Sequence, residues 1–305
     1  MAPTDYQTLI DSQTWAFIAR TNACYPIDTA TRSLSQQRSI YDAMARNFHH
    51  GYPPGITAKD TTISGVPCRV YPGSTPTLIY LHGGGFVVGG LHSHDDICAE
   101  ICARTRLSVI SVDYRLAPEH PHPAGYDDAL AVTRTVAQTS PYLLAGDSAG
   151  GCLAAAVAQT LRREAPALGL LLLYAGLGGD QTKGSYQTHA HAPMLSLEDV
   201  QYYARIRHQN GTLPANDPTA YPLHDTDLAD MPPIVAFSAE CDPVADDARG
   251  YCARITASGG QAVWHLEHGL VHGYLRARHS VPRARHSFDR FITAISTLGA
   301  VAHPQ

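Results

Sequence analysis

A chain of 305 residues with 44% hydrophobic content can bury a substantial core, as one large α/β domain or two small ones. Its net charge of -5 offers no broad basic surface, which argues against nucleic acid as a partner. No apolar run approaches the ~20 residues that span a bilayer, and Met1-Ala2-Pro3-Thr4-Asp5-Tyr6 lacks both the charged and the apolar segment of a secretory signal. The expectation is a cytoplasmic protein whose seven cysteines are buried and reduced.

Two helical blocks open the chain, around 6–20 and 34–48, and the connector Gly51-Tyr52-Pro53-Pro54-Gly55 follows them. From residue 61, short β runs alternate with longer helical stretches. Strands are predicted over 68–71, 77–81, 107–113, 142–145, 168–174, 234–238 and 262–267. Helices are predicted over 95–105, 124–138, 150–163, 243–258 and 282–297. Near-continuous apolar strands separated by helices predict a mostly parallel sheet covered on both faces. Residues 178–230 break the rhythm: they are polar, rich in Tyr and His, and carry one helical block at 197–208. An insertion between two core strands is the natural reading, and with the N-terminal helices it is expected to form a cap. The chain then divides into N-terminal cap helices (1–55), a first core part (56–177), a cap insertion (178–230) and a second core part (231–305).

The most informative stretch is Gly146-Asp147-Ser148-Ala149-Gly150, placed between an apolar strand and an Ala-rich helix. Gly-x-Ser-x-Gly in that setting holds a serine at the tip of a strained turn, where side chains two residues either side would collide. The following helix aims its first N–H groups at the place where an oxyanion forms. A serine hydroxyl needs an adjacent base. Asp242 lies just past the predicted strand at 234–238, and His272 follows the one at 262–267, so Ser148, Asp242 and His272 come in the order and at the sheet edge that such a triad requires. His82-Gly83-Gly84-Gly85 follows the strand at 77–81, and its free backbone N–H groups, with that of Ala149, suit an oxyanion hole.

Each residue also has a plainer reading. Ser148 can be an ordinary helix N-cap, and Asp242 can cap a helix that starts at Pro243. Asp246 and Asp247 are rival carboxylates but fall within that helix, and His268 is the rival base. The pairs His92/His94, His120/His122 and His189/His191 and the group His94, Cys98, Cys102 invite a metal reading, yet no compact four-ligand signature is present. No metal is expected. Tyr202, Tyr203 and Trp15 are candidates for lining an acyl pocket.

The chain resembles the bacterial hormone-sensitive-lipase-like esterases, and within them is similar to the cytoplasmic acetyl esterases. The matching residues are His82-Gly83-Gly84-Gly85-Phe86, His94-Asp95, Asp113-Tyr114-Arg115-Leu116-Ala117-Pro118-Glu119, Gly146 to Gly150, Glu240-Cys241-Asp242-Pro243 and His272-Gly273. Together they run over most of the chain, from about 34 to 291. The resemblance implies an α/β-hydrolase fold, a mostly parallel central sheet flanked by helices with a helical cap, and a cofactor-free enzyme cleaving short-chain acyl esters with water as second substrate. It implies Ser148 as nucleophile, His272 as general base and Asp242 as orienting carboxylate. Gly84, Gly85 and Ala149 become the oxyanion donors, with Gly83 supporting the turn, and the 113–119 segment braces the oxyanion loop. Two departures stand out: Tyr274, where Phe is common, and the glycine-rich 175–184, which leaves the start of the cap loosely fixed. Rival readings are an amidase, a deacetylase or an acyltransferase on the same scaffold, or a non-catalytic binding protein. Both a monomer and a homo-oligomer remain open.

Overall fold

The computed structural model describes residues 4–208 and 216–300. Its strands are β1 (Lys59–Ile63), β2 (Val66–Tyr71), β3 (Ser74–Leu81), β4 (Leu107–Val112), β5 (Tyr142–Asp147), β6 (Gly169–Leu173), β7 (Ile234–Cys241) and β8 (Ala262–Val271). They form one sheet in the order β1-β2-β4-β3-β5-β6-β7-β8. β2 runs antiparallel to β1 and β4, and every pairing from β4 to β8 is parallel. The helices are α1 (Tyr6–Leu9), α2 (Ser12–Asn22), α3 (Leu34–Asn47), α4 (Asp95–Thr105), α5 (Ala124–Ala137), α6 (Ala149–Leu161), α7 (Ser185–Thr188), α8 (Leu197–Arg207), α9 (Ala245–Ala257) and α10 (Pro282–Ala300).

Alternation along the strands divides the core into two layers. Leu78, Tyr80, Leu143, Leu171, Leu173 and Phe237 pack on one face, against Ile97 and Ile101 of α4 and Phe288, Phe291 and Ile295 of α10. Their neighbours Ile79, Leu81, Leu144, Leu170, Leu172 and Ala236 pack on the other, against Val132 of α5, Leu153 and Val157 of α6 and Ile255 of α9. Both faces are therefore covered, which is why the central strands read as apolar runs.

Three local details depart from the predicted elements. The first helical block is split, because Asp11 caps α2 by accepting from the Thr14 N–H at 2.8 Å. β1 is an additional edge strand, too polar and exposed to stand out by its pattern. β8 runs four residues beyond the predicted end, its Val271 pairing with Cys241 of β7. The insertion between β6 and β7 carries α7 and α8, and its residues 209–215, at the end of the predicted insertion helix, lie outside the described residues.

Candidate active site

β5 delivers Ser148 to the carboxyl end of the sheet, and α6 starts at the next residue. Ser148 has φ +52° and ψ −121°, a shape L-residues rarely take. The turn closes only because its flanks lack side chains: a Cβ on Gly146 would strike the Gly150 carbonyl, and one on Gly150 would strike that of Leu81. Although Ser148 occupies the N-cap position of α6, its side chain makes no capping bond. Its Oγ instead lies 2.8 Å from His272 Nε2.

His272 follows β8 directly, and its Nδ1 stands 2.6 Å from Asp242 Oδ2. Asp242 is fully buried, and its second oxygen accepts from the Val244 N–H at 3.0 Å. This bond forms a turn ahead of α9, which begins at Ala245 with Val244 as N-cap, so Asp242 is not the cap of a helix starting at Pro243. The Tyr174 ring meets the imidazole edge-on at 5.0 Å and fixes its plane. The rivals point elsewhere. His268 is exposed and bonds Glu240 at 3.2 Å. Asp246 accepts from the Ser185 N–H. Asp247 is buried and accepts from the N–H groups of Leu177, Gly178 and Gly179 and from the Tyr186 hydroxyl; burial lifts its carboxyl to about 6 despite those donors.

The glycine turn lies beside Ser148. The N–H groups of Gly84, Gly85 and Ala149 make no hydrogen bond among the described residues. Gly83 differs: its N–H donates to Asp147 Oδ1 at 2.9 Å, so it holds the turn rather than offering a donor. Gly84 sits at φ +134°, where a Cβ would strike the Val88 carbonyl, which accounts for glycine at that point.

Asp147 ties these pieces together, and no linear pattern marks it for that beyond its place inside the serine motif. The buried carboxylate accepts from Gly83 N–H and from the Tyr80 hydroxyl at 2.9 Å, and His94 Nε2 lies 3.2 Å away. Burial alone would raise its carboxyl, but His94, Arg276 and Tyr80 hold it below the usual carboxylate range. The 113–119 segment bears on the same turn. Tyr114 stacks on the His82 ring at 4.3 Å and donates to the His82 carbonyl at 2.6 Å, while the Ala117 N–H donates to the Phe86 carbonyl.

Two cavities open at Ser148. The larger, of about 490 Å³, is walled by Gly84, Gly85 and His272 and by α2, α3 and α8 through Thr21, Tyr41 and Tyr202. The smaller, about 100 Å³, runs past Ala149, Tyr186, Val200 and Val244. Tyr203 lines both. Trp15 lines neither and packs against the core. Among the described residues no three His, Cys, Asp or Glu side chains stand close enough to hold a metal ion; His94 is engaged by Ser93 and Asp147, and the Cys102 thiol faces the Tyr71 and Pro72 carbonyls.

Residues 78–276 match the family model described as the alpha/beta hydrolase fold. The chain belongs to this family. The hydrolase is 37% identical over 232 residues to the esterase LipI of Mycobacterium tuberculosis, covering 72% of each chain. It is 32% identical over 266 residues to an acetyl esterase of Salmonella typhi, covering 81% of each. The solved structure of an esterase from the bacterial hormone-sensitive lipase family superposes with a TM-score of 0.85 at 26% identity, over 94% of this chain and 98% of that one. The chain therefore stands among esterases of that bacterial type. No helix among the described residues is long and apolar enough to cross a membrane.

Proposed function

We propose that this hydrolase is a serine carboxylesterase acting on short-chain acyl esters through Ser148, His272 and Asp242. The observation that carries the reading is the continuous chain from Ser148 Oγ through His272 to Asp242, at 2.8 and 2.6 Å, beside N–H groups that have no partner among the described residues. His272 Nε2 takes the Ser148 proton as Oγ attacks the ester carbonyl. Gly84, Gly85 and Ala149 donate to the tetrahedral oxyanion, and each such donor is typically worth about 3 kcal/mol. The alcohol leaves with the proton from His272. Water, deprotonated by the same imidazole, then attacks the acyl-enzyme, releasing the carboxylic acid and restoring the Ser148 hydroxyl. Asp242 stays ionised and holds the tautomer that presents Nε2 as acceptor.

The short-chain preference rests on the smaller cavity, whose 100 Å³ suits an acyl group of a few carbons, and on kinship with a protein named acetyl esterase. α1–α3 and the β6–β7 insertion act as the cap, since α2, α3 and α8 wall the larger cavity. A reducing compartment, the cytoplasm, fits seven unbridged cysteines of which six are buried.

The test is a p-nitrophenyl ester series from acetate to dodecanoate, run on wild type and on Ser148→Ala. Activity peaking at the short esters and lost in the variant is the expected result. A folded wild type no more active than the variant across the series refutes the reading.

A further inference from the structure

Arg276, four residues beyond His272, is 9% exposed. Among the described residues its guanidinium makes one hydrogen bond, from Nη2 to the Tyr41 hydroxyl at 2.7 Å, and its Nε is buried with no partner. No carboxylate completes it. Arg278, two residues on, shows the usual solution, with Asp96 and Glu100 at 2.6 and 2.7 Å. The buried Asp147 acts on this charge only through space, and a buried guanidinium with unfilled donors is costly until something accepts from them.

Arg276 lines the larger cavity together with Ser148 and His272. The acidic residues in that wall are engaged elsewhere or stand exposed. Asp147 accepts from Gly83 and Tyr80. Asp199 and Glu198 stand exposed on α8, where Asp199 closes the helix cap by accepting from the Ser196 N–H at 2.8 Å. Burial is the largest single influence on Arg276 and opposes its charge, but Tyr41, Asp147, Tyr174 and Tyr25 together favour it. Arg207, in the wall of the smaller cavity, is a different case: the Phe86 ring covers its guanidinium at 3.6 Å and it donates to the Ala220 carbonyl at 2.8 Å.

We propose that Arg276 receives a carboxylate of the substrate, so that the site selects esters with a carboxylate on the arm lodged in the larger cavity and a short group on the other. This inference rests on the esterase reading above. The carboxylate can belong to the alcohol, as in an acylated hydroxy acid, or to the acyl group, as in the half-ester of a diacid.

Two matched pairs separate these sources: 4-acetoxybutanoate against 4-acetoxybutanamide, and monoethyl glutarate against ethyl 4-carbamoylbutanoate, with p-nitrophenyl acetate as neutral reference. The expected result is a kcat/KM preference for the anion of about tenfold or more in one pair, the scale of a charge-assisted hydrogen bond. Arg276→Gln reduces that ratio to near unity, and Arg276→Lys keeps part of it. A wild type that turns over p-nitrophenyl acetate but prefers the anion in neither pair overturns the inference, as does a preference that survives Arg276→Gln. A wild type that hydrolyses none of the five esters overturns the esterase reading, and this inference with it. If the variants do not fold, inhibition of wild-type p-nitrophenyl acetate hydrolysis decides: glutarate should inhibit well below the concentration of glutaramide required, and equal inhibition contradicts the proposal.

Discussion

Ser148 and Gly84 both sit at positive φ, and in the proposed mechanism each does so for a chemical end. The first exposes a hydroxyl at the tip of a turn; the second turns a backbone N–H away from its own chain. Gly84→Ala is therefore expected to lower kcat by about 10²-fold or more with a smaller effect on KM, because donor loss acts on the transition state. Steady-state kinetics beside circular dichroism checks this; a variant with native dichroism and native kcat would contradict the assignment. At this scale the sequence was most legible where spacing and chemistry coincide, as at Ser148, Asp242 and His272. It was least legible at Asp147 and Arg276. Nothing in a linear pattern says that the residue before the serine anchors Gly83, or that an arginine four places past the histidine hydrogen-bonds no carboxylate among the described residues. Both facts arise only when distant segments meet.

Helix α8 shows what an element contributes that its residues alone do not. Ser196 and Asp199 cap it reciprocally, which fixes where it starts. Its face toward the core places Tyr203 over Gly85, close enough that a Cβ there would strike the ring at 2.5 Å, and between the two cavities. Removing that partition joins the cavities. Tyr203→Ala is thus expected to shift the chain-length optimum of the p-nitrophenyl series toward longer acyl groups, read as a change in the kcat/KM ratio of octanoate to acetate. An unchanged ratio would show that Tyr203 does not bound the acyl site. The predicted elements with strong periodicity or apolar runs match the observed ones closely, α4 at both ends. The weak points had physical causes: β1 (Lys-Asp-Thr-Thr-Ile) is an exposed edge with no buried face to pattern it, and β8 is extended by pairing with β7, a tertiary effect.

Across the whole molecule, the glycine turn starts from a residue sealed inside the core, and that burial reaches into stability. His82 is fully buried, and burial, aided by the neighbouring His94, pushes its imidazole down to about 3 from 6.5. The folded state thus favours neutral His82, while the unfolded chain protonates near 6.5. The resulting stabilisation is complete above pH 6.5 and is lost as pH falls from there toward about 3. His82→Gln should flatten the dependence of unfolding free energy on pH in that window, by up to the ~1.4 kcal/mol per pH unit of one proton. Urea unfolding of both proteins between pH 4 and 7 measures the slopes, and parallel slopes would contradict the buried neutral imidazole.

The central claim, that Ser148 is a nucleophile activated by His272, is tested most directly by covalent labelling. The protein is treated with diethyl p-nitrophenyl phosphate while esterase activity and intact mass are followed together. The account predicts that activity falls in step with the gain of one diethylphosphoryl group, that peptide mapping places the group on Ser148, and that Ser148→Ala takes up none. Complete inactivation with the label on another residue, or an unlabelled Ser148 after activity is lost, would contradict it.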